Sequence, residues 1–158
     1  MLTGVAACAL LSVGCSATGV SSHACTEMGS PAGVTVTVSR EAVVSGLELT
    51  LRICQDACVE RRVDLVPGSI TVGETCSPDG PDGSCSASSS PDGTMVGFVD
   101  LATLTAGPVR IGGQLRAGAD STELAEISTT AAATYPNGRD CPAGGPQAAV
   151  RVTGSGLR

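Results

Sequence analysis

Residues 47–54 read Leu-Glu-Leu-Thr-Leu-Arg-Ile-Cys, and their alternation decides the fold. Leu47, Leu49, Leu51 and Ile53 face one way, and Glu48, Thr50 and Arg52 face the other. A period of two puts successive side chains on opposite faces of an extended strand. On a helix the same leucines would spread around the cylinder instead of forming a stripe. The pattern recurs outward. Upstream, Val34, Val36 and Val38 alternate with Thr35, Thr37 and Ser39. Downstream, Val63 and Leu65 oppose Arg62 and Asp64, and Ile70 and Val72 form a short run. Val96 and Phe98 follow, then Val109, Ile111 and Leu115 alternate with Arg110, Gln114 and Arg116. Ile127, Thr129, Ala131, Ala133 and Tyr135 suit a strand or the start of a helix. Their Ser/Thr-rich middle and the preceding Asp120-Ser121 turn favour the strand. Val150 and Val152 close the series. The expectation is an all-β domain over residues 31–158, an immunoglobulin-like β-sandwich of about seven to eight strands.

The turns between these strands carry their own chemistry. Pro78-Asp79-Gly80, Pro81-Asp82-Gly83 and Pro91-Asp92-Gly93 repeat one tripeptide. Proline pre-sets the first central φ of a turn, aspartate bonds its own backbone, and glycine takes φ > 0. Residues 77–93 therefore read as one long polar connection and as the candidate partner loop, with Asp79, Asp82 and Asp92 displayed on it. Gly112-Gly113 and Gly144-Gly145 read as a strand bulge and a turn.

Composition narrows the function. The chain has 158 residues, 8 cysteines, one histidine, no tryptophan and a net charge of −6. That charge argues against nucleic acid, which needs clustered basic residues for its phosphates. Phe98 and Tyr135 are too few aromatics for a stacking platform under bases or sugars. A single histidine excludes multi-histidine metal centres. The sequence holds no lysine and so no Walker-type phosphate loop. No cofactor is expected.

The first 14 residues are apolar and uncharged, the length of a signal-peptide core and too short to span a bilayer. They end at Ser12-Val13-Gly14-Cys15, a lipobox-like site at which Cys15 takes a lipid and becomes the new N-terminus. The usual leucine is replaced by Ser12, and no basic residue precedes Arg40. Residues 1–14 are thus expected to be a lipoprotein signal segment and residues 15–30 a flexible tether. The cysteines divide accordingly. Cys8 leaves with the signal and Cys15 carries the lipid. Cys25, Cys54, Cys58, Cys76, Cys85 and Cys141 remain as an even set in an exported chain, the mark of a disulfide framework. Cys54 and Cys58 flank the turn Gln55-Asp56-Ala57, where a cross-strand bridge fits. Cys76 and Cys85 bracket a Pro/Asp/Gly turn and staple its base. Cys25 and Cys141 are left, one before the first strand and one before the last. A four-cysteine zinc site from Cys54, Cys58, Cys76 and Cys85 is the rival, and its spacings fit zinc ribbons badly.

Few residues suggest catalysis. Asp79, Asp82 and Asp92 lack the ordered spacing and closing glutamate of a calcium loop. His23 lies in the tether, where nothing would orient it as a base. Glu41, Glu48, Glu60, Glu123 and Glu126 fall on polar strand faces or loops, where a glycosidase-type pair would need an aromatic-lined cleft. Arg61-Arg62 reads as a solvated charge and its neighbour at a sheet edge.

The tail Tyr135-Pro136-Asn137-Gly138, Cys141 and Gly144-Gly145-Pro146-Gln147 joins a strand end, an Asn-Gly turn, a disulfide anchor and a last strand. Tyr135 is expected to cap the core there. With the lipobox-like start and Gly97-Phe98, this tail resembles small secreted lipoproteins of actinobacteria. The resemblance implies export and a β-rich domain, and no activity. The expected function is a non-catalytic, lipid-anchored binding or structural module on the extracellular face of the membrane. It would meet an unknown protein or cell-envelope partner. The alternatives are plain secretion and a secreted protease inhibitor whose stapled loop is residues 77–84.

Overall fold

A computed structural model describes residues 25–76 and 83–158. The expected signal segment at 1–14, Cys8, Cys15, His23, Asp79 and Asp82 lie outside the described residues. The alternating segments all become strands: β1 Gly33–Val38, β2 Leu47–Cys54, β3 Cys58–Val63, β4 Val66–Cys76, β5 Cys85–Asp100, β6 Gly107–Ala117, β7 Asp120–Ala133, β8 Pro146–Thr153 and β9 Gly156–Leu157. Among the described residues the other regular element is a 3-10 turn at Arg40–Ala42. The domain is all-β.

The strands pair in the order β3-β2-β6-β7-β8-β1-β5-β4, with β9 added on β8. The join between the two halves is narrow. Strand β7 pairs with β6 from Ala117↔Asp120 to Gly107↔Ala131. Its last two residues, Ala132 and Ala133, then pair with Gln147 and Pro146 of β8. Val34, Val36, Val38, Val150 and Val152 from one half and Leu49, Leu51, Val109 and Ile111 from the other share one buried core. One of the crossings between halves is at Asp64–Leu65, between β3 and β4. There Gly97 of β5 has no room for a side chain, because a Cβ would stand 2.5 Å from Val63 Cγ1 and 2.8 Å from the Asp64 carbonyl. The period-two valines and leucines build this core as expected. β-Branched and leucine side chains fill it without aromatic help.

The structure departs from expectation in several places. Residues 85–93 are strand, so this part of the expected 77–93 loop is not a loop. Ile70, Thr71 and Val72 of β4 pair with Ser90, Ser89 and Ser88 of β5, supplying the β-branched partner that the serines lack themselves. Pro91-Asp92-Gly93 is a bulge within β5, since the register steps from Pro67↔Met95 to Ser69↔Pro91. Gly93 takes φ 81° there. The turn expected at Asp120-Ser121 falls on Gly118-Ala119, with Gly118 at φ 62° in the first central position of a two-residue hairpin. Gly112-Gly113 is the expected bulge in β6. Tyr135 does not cap the core. The residue is 41% exposed, and its ring lies under the Arg139 guanidinium at 5.5 Å.

Residues 25–30, at the end of the expected tether, are tied to the body. Cys25 is bridged to Cys141. Asn137 Nδ2 donates to the Met28 carbonyl at 3.0 Å, and the Gly145 amide donates to the Ser30 carbonyl at 2.8 Å. All three expected bridges are present: Cys25–Cys141, Cys54–Cys58 and Cys76–Cys85. The four cysteines of the zinc rival are therefore consumed in the two hairpin bridges.

Candidate functional site: the outer face of β2, β6 and β7

Strands β3, β2, β6 and β7 turn their alternate, polar residues outward. On this face the paired glycines of β6 leave a trough. Thr50, Arg52, Glu60, Gly112, Gln114 and Glu126 are among the residues lining a groove of about 370 Å³. A Cβ on Gly113 would stand 2.2 Å from the Thr50 carbonyl oxygen, so the bulge brings β6 hard against β2. A Cβ on Gly112 would meet the Leu124 carbonyl oxygen at 3.3 Å. The groove exists because this stretch of β6 carries no side chains.

Charges of both signs rim one end. Arg110 Nη1 donates to Glu126 Oε1 at 2.8 Å, and Arg52 Nη1 stands 4.0 Å from Glu126 Oε2. Arg52 also donates through Nη2 to Cys58 Sγ at 3.5 Å. Register explains the cluster. Arg52 lies opposite Glu60, and Cys54 lies opposite both Cys58 and Arg110. Farther along, Arg62 donates to Glu48 at 2.8 Å, so the Arg61-Arg62 spot on edge strand β3 is partly neutralised. These pairs are more than a third exposed on at least one side and contribute little to stability. They set the orientation of the guanidinium groups.

The hairpin turn above the groove is held by Gln55. Its Nε2 donates to the Thr105 carbonyl at 3.0 Å, and its Oε1 accepts from the Thr105 amide and hydroxyl at 3.0 Å each. The side chain acts as a short strand, satisfying both backbone groups of Thr105. Beneath it, Ile53, Val59, Leu101 and Leu104 line an apolar pocket of about 300 Å³, with Gln55 and Asp56 at its rim.

The sequence-predicted candidates scatter. Glu60, Glu123 and Glu126 line the groove, whereas Glu48 pairs with Arg62 and Glu41 sits in the 3-10 turn. Asp92 belongs to strand β5. Its Oδ1 accepts from the Thr94 hydroxyl at 2.7 Å and amide at 2.9 Å. These bonds, with Arg40 beside them, hold its carboxyl below the usual range. Among the described residues no cluster of three or more acidic, cysteine or histidine side chains is placed to hold a metal ion. No described helix is long and apolar enough to cross a membrane. Sequence reading missed Arg52, Gln55 and the Gly112–Gly113 trough as a site. Their only signal was polar residues alternating along two segments, which β2–β6 pairing later joins. No family model, curated protein or solved structure matches this chain.

Proposed function

We propose that this protein is a lipid-anchored binding or structural module of the bacterial cell surface, held at the outer face of the membrane through Cys15. What carries the reading is the complete pairing of the six cysteines that follow Cys15. Such a framework suits an oxidising compartment. Cys25, close behind the lipidation site, is bridged to the domain, so the anchor would hold the body near the membrane. The two halves of the sheet would serve as the layers of an immunoglobulin-like sandwich. Contact with an envelope partner would fall to the outer-face groove and to the hairpin arm of β4 and β5. That arm projects with Ile70 53% exposed and Val72 38% exposed.

Replacing Cys15 by alanine should abolish fatty-acid labelling and release the protein to the medium. Labelling that persists in the variant refutes the anchor. Crosslinking on intact cells should recover one envelope partner whose yield falls when Gly112 is replaced by a bulky residue or when the arm is altered.

The second reading is a secreted protease inhibitor, favoured by the Cys76–Cys85 bridge at the base of residues 77–84. Stoichiometric inhibition of an exported protease, lost on cleavage within 77–84, would select it over the first.

A further inference from the structure

The Cys54–Cys58 bridge differs from a purely structural staple in what surrounds it. We propose that it is a thiol–disulfide exchange site. Cys58 is the sulfur that a partner's thiolate attacks, and Arg52 is the group that stabilises the Cys58 thiolate. The inference goes beyond the anchoring reading and stands or falls without it.

Three observations carry it. The pair is asymmetric: Cys54 is 1% exposed, whereas Cys58 lies on the open face of edge strand β3. An incoming thiolate reaches one sulfur and not the other. The Arg52 guanidinium donates to Cys58 Sγ at 3.5 Å. A cation at that position favours the thiolate, which is both nucleophile and leaving group in exchange. Finally, Cys54 and Cys58 are opposed in the β2–β3 register, four residues apart. With the bridge open, the strand pairing still holds the two thiols together for re-closure. The Cys25–Cys141 bridge, by contrast, spans 116 residues. Cys76–Cys85 has the acidic Glu74 two positions away on its own strand.

The charges around the pair are two cations and three carboxylates, so what favours the thiolate is the direct Arg52–Cys58 contact and not the local sum. Arg52 comes from β2, Arg110 from β6 opposite Cys54, Glu60 from β3, Glu126 from β7 and Asp56 from the turn. Glu126 bonds Arg110 at 2.8 Å and stands 4.0 Å from Arg52, and Glu60 lies opposite Arg52 in the register, so the Arg52 charge is partly compensated. The groove lined by Arg52 and Glu60, the residues two positions from the bridge on each strand, offers an extended peptide a place near the exposed sulfur.

The substrate class is a peptide or unfolded protein segment bearing two reduced cysteines. Its first thiolate attacks Cys58 Sγ, the Sγ–Sγ bond breaks, and the electron pair leaves on Cys54 Sγ, which takes up a proton. The second substrate thiolate attacks the substrate sulfur of the mixed disulfide. Cys58 then leaves as a thiolate beside Arg52. The substrate dithiol loses two electrons to become a disulfide, and the Cys54–Cys58 disulfide gains them. Each chain oxidises one equivalent.

The test uses the full oxidised chain and a synthetic peptide with two reduced cysteines. One equivalent of peptide disulfide should form per chain, with Cys54 and Cys58 the residues that become alkylatable. Alkylation of Cys25, Cys76, Cys85 or Cys141 in their place overturns the proposal. In the Cys54→Ser chain, the Cys58 thiol should react with iodoacetamide with a midpoint below the ordinary thiol value. Adding Arg52→Gln should slow that reaction about three- to tenfold at neutral pH, the effect of half to one pH unit. Should Arg52→Gln fail to fold, Glu126→Gln serves, and it should speed the reaction by freeing the guanidinium. A Cys58 midpoint at the ordinary value, unmoved by the folded variants, overturns the role of Arg52.

Discussion

Gly113 and Gly118 both need to be glycine, for different physical reasons. At Gly113 the obstacle is space: a Cβ would sit 2.2 Å from the Thr50 carbonyl and 3.1 Å from Leu51 Cα, and backbone cannot swing aside. At Gly118 there is open space, but φ is +62°. Gly113→Ala should cost about 3 kcal/mol, the scale of overpacking against backbone. Gly118→Ala should cost about 1 kcal/mol, the left-handed penalty of an L-residue. Denaturant melts of the two variants check the order, and equal losses would refute the distinction. Asp92 is the residue whose ionisation the fold biases. The Thr94 hydroxyl and amide, with Arg40 nearby, lower its pKa from the ordinary 3.8. A depressed carboxyl contributes stability that is present above its unfolded value and lost as pH falls through the folded one. An NMR titration should find the Asp92 midpoint below the ordinary aspartate value, and Thr94→Val should raise it. An unmoved midpoint would show that the Thr94 hydroxyl bond does not set it.

Among the elements, the β4–β5 hairpin is the one whose stability is local. Residues 69–76 and 85–91 pair only with each other, and most of their side chains are exposed. An isolated two-stranded hairpin is marginal in water. The Cys76–Cys85 bridge at its far end is what keeps the strands together beyond the body. Replacing both cysteines by serine should speed amide exchange in 69–76 and 85–91 while leaving β1, β2 and β8 protected. Loss of protection throughout would show that the arm and body unfold together. This arm also marks where sequence reading ran short. β2 was legible because four apolar residues alternate without interruption in Leu47–Cys54. The first half of β5 was not, because Ser86 to Pro91 carry no strand signal of their own and take their conformation from Ile70, Thr71 and Val72. The bridges were legible because two of them close short segments and the third followed by remainder. The groove was not, because it needs Arg52, Gly112 and Glu126 from three strands whose adjacency no local pattern encodes.

For the molecule as a whole, the order of strands sets the energetics. The first strand, β1, lies parallel to β8 near the end of the chain, from Gly33↔Gln147 to Val38↔Val152. Such pairing of distant segments carries a large loop-closure entropy, which must be met before core burial rewards it. The Cys25–Cys141 bridge removes much of that cost from the unfolded chain, since it closes a loop of 116 residues just outside the β1–β8 pair. The chain-entropy argument assigns it up to about 4–5 kcal/mol. Replacing Cys25 and Cys141 by serine should therefore lower the denaturant midpoint of the entire domain. It should also raise the slope of the transition, because the opened unfolded chain exposes more surface. A merely local role would look different. Exchange would quicken at residues 25–32, where Asn137 and Gly145 bond the Met28 and Ser30 carbonyls, while midpoint and slope stayed put. Measuring both on one variant separates the alternatives. A coupled fall in midpoint and rise in slope places the effect in the unfolded state, and would mean that residues 25–32 help to hold β1 and β8 together.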